Sequence, residues 1–353
     1  MIINSVIESS GSYIPKDVIS NQYFLDHTFL DPTGNAIPKA NDAIISKLEE
    51  ITQIEERRYE NKLNTRQMAC RASEAALKES SIDREKLGGI IVAHNFGDIE
   101  SSATQGHMIP NLAAKVKHEL GIKNPKCFAF DVLFGCPGWL LAFDQAHQYI
   151  QNGITYSILV IGVESLSRVV DPNDIDSMLF GDGAGAVILK AEKAEEKRGI
   201  LAYEGYSDCG EEIDYLKMDH PRKGESQDLY IRMIGRSVFK YAVNNVPQII
   251  TECLQSIKVP FGEISTFLFH QANGKMLDAI GSKLAELNQS GDIKDKVPLT
   301  LNKLGNTSVA TIPTMIDMIL KKEMNGFSFN KGEKVVMASV GAGMHANCLV
   351  YQF

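Results

Sequence analysis

Residues 131–144 read Asp-Val-Leu-Phe-Gly-Cys-Pro-Gly-Trp-Leu-Leu-Ala-Phe-Asp. A strand-like run reaches Cys136, and Pro137 then opens an amphipathic helix, because the N–H that proline lacks would be unpaired at that position anyway. The helix leads into a β-branched run at 156–163. A strand, a helix and a further strand in this order are typical of an α/β fold.

The rest of the chain extends this alternation. Apolar periodicity predicts strands at 88–93, 156–163, 184–190, 266–269, 334–340 and 346–352, and helices at 64–79, 137–152, 232–257, 274–287 and 308–323. The two halves repeat the same order of elements, which favours a duplicated α/β domain with layered helices and sheets. The alternative, that any α/β chain alternates in this way, stays open at this point.

A charged stretch with several glycines, at 191–226, is the natural junction between the halves. We therefore predict an N-terminal half at 1–195 and a C-terminal half at 196–353. The segments 31–47 and 94–112 are rich in turn-forming residues and are predicted to be loops.

Composition excludes several classes of protein. The 353 residues are 44% hydrophobic and 23% charged, which is average for a globular protein and rules out a disordered or collagen-like chain. The net charge of −8 argues against binding to nucleic acid or to an anionic membrane. No apolar run is long enough to cross a bilayer, and the N-terminus lacks the pattern of a secretory signal. Six scattered cysteines form no C-x-x-C pair, so we expect reduced thiols, no metal site and a cytoplasmic location.

Cys136 is the candidate nucleophile. At a helix N-terminus the macrodipole and the free amides favour an anion and lower the pKa of a thiol. A thiolate there can attack an acyl group, and the same amides can stabilise the resulting oxyanion. The alternative is a buried cysteine that acts as a small hydrophobic residue.

Two polar residues are candidate partners. His270 ends the apolar run Phe267-Leu-Phe, and residues at strand ends of α/β sheets commonly line the ligand crevice. Its ring could donate a hydrogen bond to a carbonyl or act as a base, or it could be a capping or core histidine. Asn306, in Gly305-Asn-Thr-Ser, would supply a second donor, or it is only a turn residue before the next helix.

Two glycine stretches complete the pattern, Phe180-Gly-Asp-Gly-Ala-Gly-Ala and Gly341-Ala-Gly343. Neither has the G-x-G-x-x-G spacing of a dinucleotide site. The sequence also contains no Walker loop, HExxH or GxSxG motif, which removes the usual NTPase, zinc-protease and serine-hydrolase interpretations.

Together these segments resemble the thiolase-fold condensing enzymes, and most of all 3-oxoacyl-[acyl-carrier-protein] synthase III. The resemblance spans nearly the whole chain. Its segments, in the family's order, are Ser10-Gly-Ser-Tyr-Ile-Pro, the stretch around Cys136, Phe180-Gly-Asp-Gly-Ala-Gly-Ala, Val238-Phe-Lys, His270-Gln-Ala-Asn, Gly305-Asn-Thr-Ser and the final glycine turn. It implies a duplicated five-layer α-β-α-β-α fold, a homodimer and a catalytic triad of Cys136, His270 and Asn306.

The resemblance also implies a mechanism and partners. Cys136 would attack an acyl thioester, with its own amide and that of Ala342 as the oxyanion hole. His270 and Asn306 would then hold the carbonyl of a malonyl thioester during decarboxylation and condensation, without a metal or organic cofactor. Lys240, Lys275 and Lys283 fall where the family carries residues that dock acyl carrier protein, and Ile109 falls where a residue limits the depth of the acyl pocket across the dimer.

The chain departs from the family where coenzyme A would bind. The family's Trp and Arg that hold the adenine of coenzyme A are not recognisable in 42–58, and the only tryptophan is Trp139. An acyl-carrier-protein donor is therefore an alternative to coenzyme A. The main interpretation is fatty-acid initiation, and the alternative is a specialised ketosynthase of secondary lipids or polyketides, such as dialkylresorcinols.

Three further classes agree less well with the sequence. A papain-like protease would not have a duplicated α/β pattern or a nucleophile this far from the N-terminus. A degradative thiolase would carry a second cysteine in the C-terminal glycine turn. A non-catalytic partner subunit of the same fold would normally have lost the nucleophile.

Overall fold

The computed structural model describes all 353 residues. Its strands are β1 (Ile2–Tyr13), β2 (Asp17–Ser20), β3 (Glu56–Tyr59), β4 (Gly89–Ala93), β5 (Phe128–Val132), β6 (Ser157–Ser165), β7 (Asp182–Ala194), β8 (Gly199–Ser207), β9 (Leu216–Asp219), β10 (Tyr230–Met233), β11 (Ile264–Phe269), β12 (Lys334–Gly341) and β13 (His345–Gln352). Its α-helices are α1 (Asn41–Thr52), α2 (Thr65–Glu79), α3 (Leu112–Glu119), α4 (Gly138–Gln151), α5 (Gly235–Ser256), α6 (Gly274–Leu287), α7 (Leu301–Leu304) and α8 (Thr311–Leu320).

Nine of the strands form one mixed sheet, in the order β11-β12-β13-β8-β1-β7-β6-β4-β5. In its first half, β4 is parallel to β5 and β6, and β7 is antiparallel to both β6 and β1. In its second half, β11 is parallel to β12, and β13 is antiparallel to both β12 and β8. The halves meet where β1 and β8 pair in parallel, through Ser5 and Gly199.

The two halves of the sheet follow one plan. In each, the first strand along the chain (β1 or β8) lies beside the last (β7 or β13), followed by β6 or β12 and then by β4 or β11. The strand directions also correspond, and only β5 lacks a counterpart. The duplication predicted from the order of elements is therefore present in the fold.

Helices and sheet alternate in five layers, and each of the three helical layers packs on the sheet through its own large apolar cluster. The outer cluster of the first half involves α2 and α3, the central cluster α4 and α8, and the outer cluster of the second half α5 and α6. Strand β6 shows how the sequence specifies this arrangement: Ile158 and Val160 face the central cluster, while Leu159 and Ile161 face the outer one. Successive strand residues point to opposite faces, so a strand that is apolar throughout needs helices on both sides.

The structure corrects three expectations about elements. The predicted junction at 191–226 contains β8, which pairs along its length with β13 as a central strand of the sheet. The predicted loop at 31–47 contains the start of α1. The predicted helix at 308–323 begins only at Thr311, because Ser308 has a φ of +49°, in the left-handed region that an α-helix cannot contain.

Two short ribbons, β2-β3 and β9-β10, lie outside the main sheet. None of the helices combines the length and the apolar character that a membrane crossing requires.

Candidate active site

Cys136 lies in the loop between β5 and α4, two residues before the helix begins at Gly138. It is partly buried, and the Ser308 hydroxyl donates a hydrogen bond to its Sγ over 3.3 Å. Burial raises the pKa of the Cys136 thiol to about 12, although the bond from Ser308 and the residue's own N–H act in the opposite direction. Desolvation is the largest of these effects and acts against the lowering of the thiol pKa that the helix N-terminus favours.

The glycine turn 341–343 packs directly against this loop. A Cβ on Gly341 would lie 2.5 Å from the Cys136 backbone nitrogen, and a Cβ on Gly135 would lie 2.8 Å from the Ala342 nitrogen. Gly135 also has a φ of +61°, which favours glycine on conformational grounds. The two missing side chains allow the backbone N–H groups of Cys136 and Ala342 to come close together.

His270 follows β11 immediately, and its backbone N–H continues the ladder to Ala338 of β12 over 2.9 Å. The ring is buried, and its Nδ1 has no hydrogen-bond partner. Burial lowers the pKa of the imidazole to about 4. His270 is thus neutral near pH 7 and has an unused ring nitrogen.

Asn306 is held by its backbone and by one side-chain atom. Its N–H donates to the Leu179 carbonyl over 2.8 Å, and its own carbonyl accepts from Gly181 N–H over 3.0 Å. The side-chain Oδ1 accepts from Ser308 N–H over 2.9 Å, which leaves the amide NH2 group as an available donor.

One cavity of about 300 Å³ brings the three residues together, although they lie far apart in the sequence. Its remaining lining is mostly apolar and comes from α1, the start of α5 and the start of α6. Leu48, Ile51, Val238, Phe239 and Met276 are examples. A thiol, a neutral imidazole and an amide donor therefore face a passage with largely apolar walls.

Cys136 also faces a second, smaller cavity of about 130 Å³. Ala342 lies at this cavity too, together with Phe96, Leu216, Met218 and Ile231. Apolar side chains of the ribbon β9-β10 thus close the space beside the thiol. Ile109 does not reach either cavity of its own chain and is 91% exposed.

Three residues next to Cys136 were missed by the sequence analysis as site residues: Ser308, Glu164 and Asn95. The Asn95 amide donates to the Glu164 carboxyl over 2.5 Å and to the Ser308 hydroxyl over 3.3 Å. Asn95 and Glu164 lie at the carboxyl ends of the adjacent parallel strands β4 and β6. The strand-end rule that singled out His270 would have found them as well.

The three lysines predicted to dock a carrier protein have different surroundings. Lys275 pairs with Glu50 over 3.1 Å and Lys283 with Glu286 over 2.9 Å. Lys240 is exposed on α5 and forms no ion pair, and Arg236, one turn earlier, lines the cavity that contains the triad.

Known proteins resemble this chain over nearly its whole length. The family model described as 3-Oxoacyl-[acyl-carrier-protein (ACP)] synthase III matches residues 130–209, and the model of the C-terminal part of that family matches 254–353. The beta-ketoacyl-[acyl-carrier-protein] synthase III of Staphylococcus aureus (strain JH1) is 33% identical over 345 residues, 97% of this chain and 96% of that protein. The chain belongs to this family.

Further comparisons extend over the same length. Beta-ketoacyl-[acyl-carrier-protein] synthase III 1 of Vibrio vulnificus is 31% identical over 96% of both chains. The crystal structure of 3-oxoacyl-[acyl-carrier-protein] synthase III from Aquifex aeolicus VF5 superposes with a TM-score of 0.81 at 30% identity, covering 99% of this chain and all of that one. The predicted thiolase-like fold and the predicted class, an acyl-transferring condensing enzyme, are confirmed.

Proposed function

We propose that this synthase III family member joins an acyl group carried on Cys136 to a malonyl thioester and releases a 3-oxoacyl thioester and CO2, in the initiation of fatty-acid synthesis. The observation that carries the proposal is the single cavity lined by Cys136, His270 and Asn306 in a chain of this family.

In the first half-reaction Cys136 attacks the carbonyl of the acyl donor. The N–H groups of Cys136 and Ala342 then act as the oxyanion hole, a role supported by the close approach of the glycine turn. Donors of this kind act on charge that develops only in the transition state, and losing one typically lowers the rate by about 10²–10³.

In the second half-reaction His270 and Asn306 donate to the thioester carbonyl of the malonyl group. Loss of CO2 leaves an enolate, which these two donors stabilise, and its carbon attacks the acyl-Cys136 carbonyl. The low pKa of His270 supports a neutral ring that donates one N–H, and it argues against a charged imidazolium. A pKa near 4 also makes the ring a weak base, which favours the donor role over the base role for this histidine.

An acyl carrier protein is the proposed partner, with Arg236 and Lys240 as its first contacts. Both lie on the first turns of α5 beside the cavity, and no carboxylate neutralises Lys240. Lys275 and Lys283 contribute less because each already pairs with a glutamate.

We also propose a homodimer. Met108, Ile109 and Leu133 expose apolar side chains, and Asp131 bonds to the N–H groups of Leu112 and Ala113, which holds the two segments side by side. A second copy covering them would bring Ile109 toward the acyl pocket of its partner.

The test is reconstitution with malonyl-loaded acyl carrier protein and a series of acyl donors on coenzyme A and on carrier protein. We expect 3-oxoacyl carrier protein and CO2 in equal amounts, with product lost in His270→Ala and in Asn306→Ala. Consumption of malonyl substrate without any condensation product, from every donor, would contradict the proposed reaction.

One observation favours a second candidate, a specialised lipid or polyketide ketosynthase that takes its acyl group from carrier protein. Trp139 is only 1% exposed and lies in the central apolar cluster, so it cannot stack on an adenine at the cavity mouth. Short acyl-coenzyme A donors that work as well as carrier-protein donors would support fatty-acid initiation. Reaction with long acyl or 3-oxoacyl carrier protein alone would support the specialised enzyme.

A further inference from the structure

A buried carboxyl group near Cys136, that of Glu164, has no role in the proposed reaction. Glu164, on β6, is 1% exposed, and its Oε1 accepts from the Asn95 amide over 2.5 Å. The same amide donates to Ser308 Oγ over 3.3 Å, and Ser308 Oγ is 3.3 Å from Cys136 Sγ. The Asn95 amide therefore joins Ser308 Oγ to the Glu164 carboxyl, and the Ser308 hydroxyl also acts to lower the pKa of that carboxyl. The Ser308 hydroxyl thus contacts the thiol directly and shares the Asn95 amide with the acid.

The surroundings of Glu164 leave its charge without a cation. The groups that act on it are Asn95, Ser308 and the carboxyl of Asp182, and its own charge acts in turn on Cys136. Burial raises the pKa of Glu164 to about 8, with the hydrogen bonds from Asn95 and Ser308 opposing the rise. The group therefore gains and loses a proton near neutral pH, where an efficient acid–base group works best.

A purely structural role would not need an acid at this position. The Asn95 amide requires only an acceptor, and the side-chain oxygen of glutamine would serve. A buried carboxyl without a cation is costly. What glutamine could not do is take a proton from Ser308.

We propose that Glu164 holds, through the Ser308 hydroxyl, the proton that Cys136 loses when it is acylated, and returns it when condensation frees the thiolate. The inference rests on the proposed role of Cys136 as nucleophile. Because Glu164 acts through Ser308, it is a positioning residue for the proton and does not touch the substrate.

The proton and the bonds balance over the two half-reactions. On acylation, Cys136 Sγ–H passes its proton to Ser308 Oγ while Ser308 passes its own to the Glu164 carboxylate. The Sγ–C bond forms, the C–S bond of the donor breaks, and the leaving thiolate takes a proton from solvent. On condensation the new C–C bond forms, the Cys136 Sγ–C bond breaks, and the proton returns from Glu164 through Ser308 to the thiolate.

The experiment measures single-turnover acylation of Cys136 by octanoyl-N-acetylcysteamine between pH 6 and 9.5. Because this probe contains no carrier protein, docking of a carrier protein does not affect the measured rate. For the wild type we expect a rate that rises with pH and levels off above about 8, and for Glu164→Gln a rate lower by about 10²-fold without that inflection. Glu164→Asp should recover part of both. Ser308→Gly, which suits the backbone φ of +49° and therefore preserves the fold, should be as slow as Glu164→Gln.

Decarboxylation of malonyl carrier protein is the second readout, since it needs no proton from Cys136. A selective loss of acylation supports the relay, whereas equal loss of both half-reactions shows a structural role and overturns it. Acylation of Glu164→Gln at the wild-type rate, or faster because a repelling charge is gone, overturns it as well. Acylation that persists in Cys136→Ala would instead refute the proposed nucleophile, so the two failures are distinguishable.

Discussion

Replacing Gly341 by alanine tests the contact between the glycine turn and the nucleophile loop. The added methyl would lie 2.5 Å from the Cys136 nitrogen, 2.8 Å from Pro137 Cδ and 3.1 Å from Cys136 Cβ. Two of these three atoms belong to backbone or to a proline ring, which cannot rotate away. The turn or the loop must therefore move.

The required movement follows from the geometry. An ordinary contact of a methyl carbon is about 3.5 Å, so the two segments separate by about 1 Å. Overpacking of this kind destabilises a protein by about 1–3 kcal/mol, which a chain of this size tolerates. A reacting group displaced by about 1 Å can lose about 10²-fold in rate, comparable with losing one oxyanion donor. We expect Gly341→Ala to fold and to acylate about 10²-fold more slowly.

The assay is single-turnover acylation with a small acyl thioester, with the melting temperature measured on the same samples. Gly281→Ala, in α6, is the matched control because its Cβ would meet only Ile293 Cγ1 at 3.5 Å and Cδ1 at 3.8 Å, which are ordinary contacts. It should acylate normally and gain up to about 1 kcal/mol from better helix propensity. A folded Gly341→Ala enzyme that acylates like the wild type would refute the placement of the oxyanion hole at this turn.

Three further predictions concern separate parts of the molecule. His270→Ala should still be acylated on Cys136 but lose malonyl decarboxylation by at least about 10²-fold, measured as CO2 release; decarboxylation that survives would exclude the donor role. Replacing Arg236 and Lys240 by Glu should raise KM for acyl carrier protein without changing the rate with small thioesters. Lys283→Glu should raise that KM less, because Lys283 already pairs with a glutamate. An equal rise in KM for both variants would contradict the distinction between paired and unpaired cations. Glu164 is protonated in the fold up to about pH 8 but only to about pH 4.5 when unfolded, so the folded state binds more protons between these values and loses stability as pH rises. The free energy of unfolding of Glu164→Gln, measured in urea titrations, should therefore exceed that of the wild type by about 2–5 kcal/mol at pH 9 and be close to it at pH 5. The same difference at both pH values would mean that burial of the charge is not the cause of the stability difference.

Much of the fold could be predicted because its signals are local. The apolar run of β6 and the amphipathic pattern of α6 predict those elements within a few residues, and their repeated order predicts the duplication. Strand β8 was missed because it is only partly buried and follows a charged turn, so its residues lack a clear alternation. Its place in the sheet comes from pairing with β13, some 140 residues later.

In the site, too, the features with local sequence signals could be predicted and those that depend on distant contacts could not. Cys136, His270 and Asn306 stand in recognisable local patterns, and the fold brings all three to one cavity. The protonation of Cys136 could not be predicted from its position before a helix, because desolvation comes from residues distant in sequence. Ser308 stands next to a recognised motif, but its left-handed backbone and its contact with Cys136 are properties of the folded chain.

The most direct test of the account is the mass of the intact protein after mixing with acyl-coenzyme A or acyl carrier protein, for the wild type and for Cys136→Ala. We predict one acyl group per chain in the wild type, located on Cys136 by peptide mapping, and none in the variant. An adduct that persists in Cys136→Ala, or that maps to another cysteine, would contradict the assignment of the nucleophile and with it the proposed reaction.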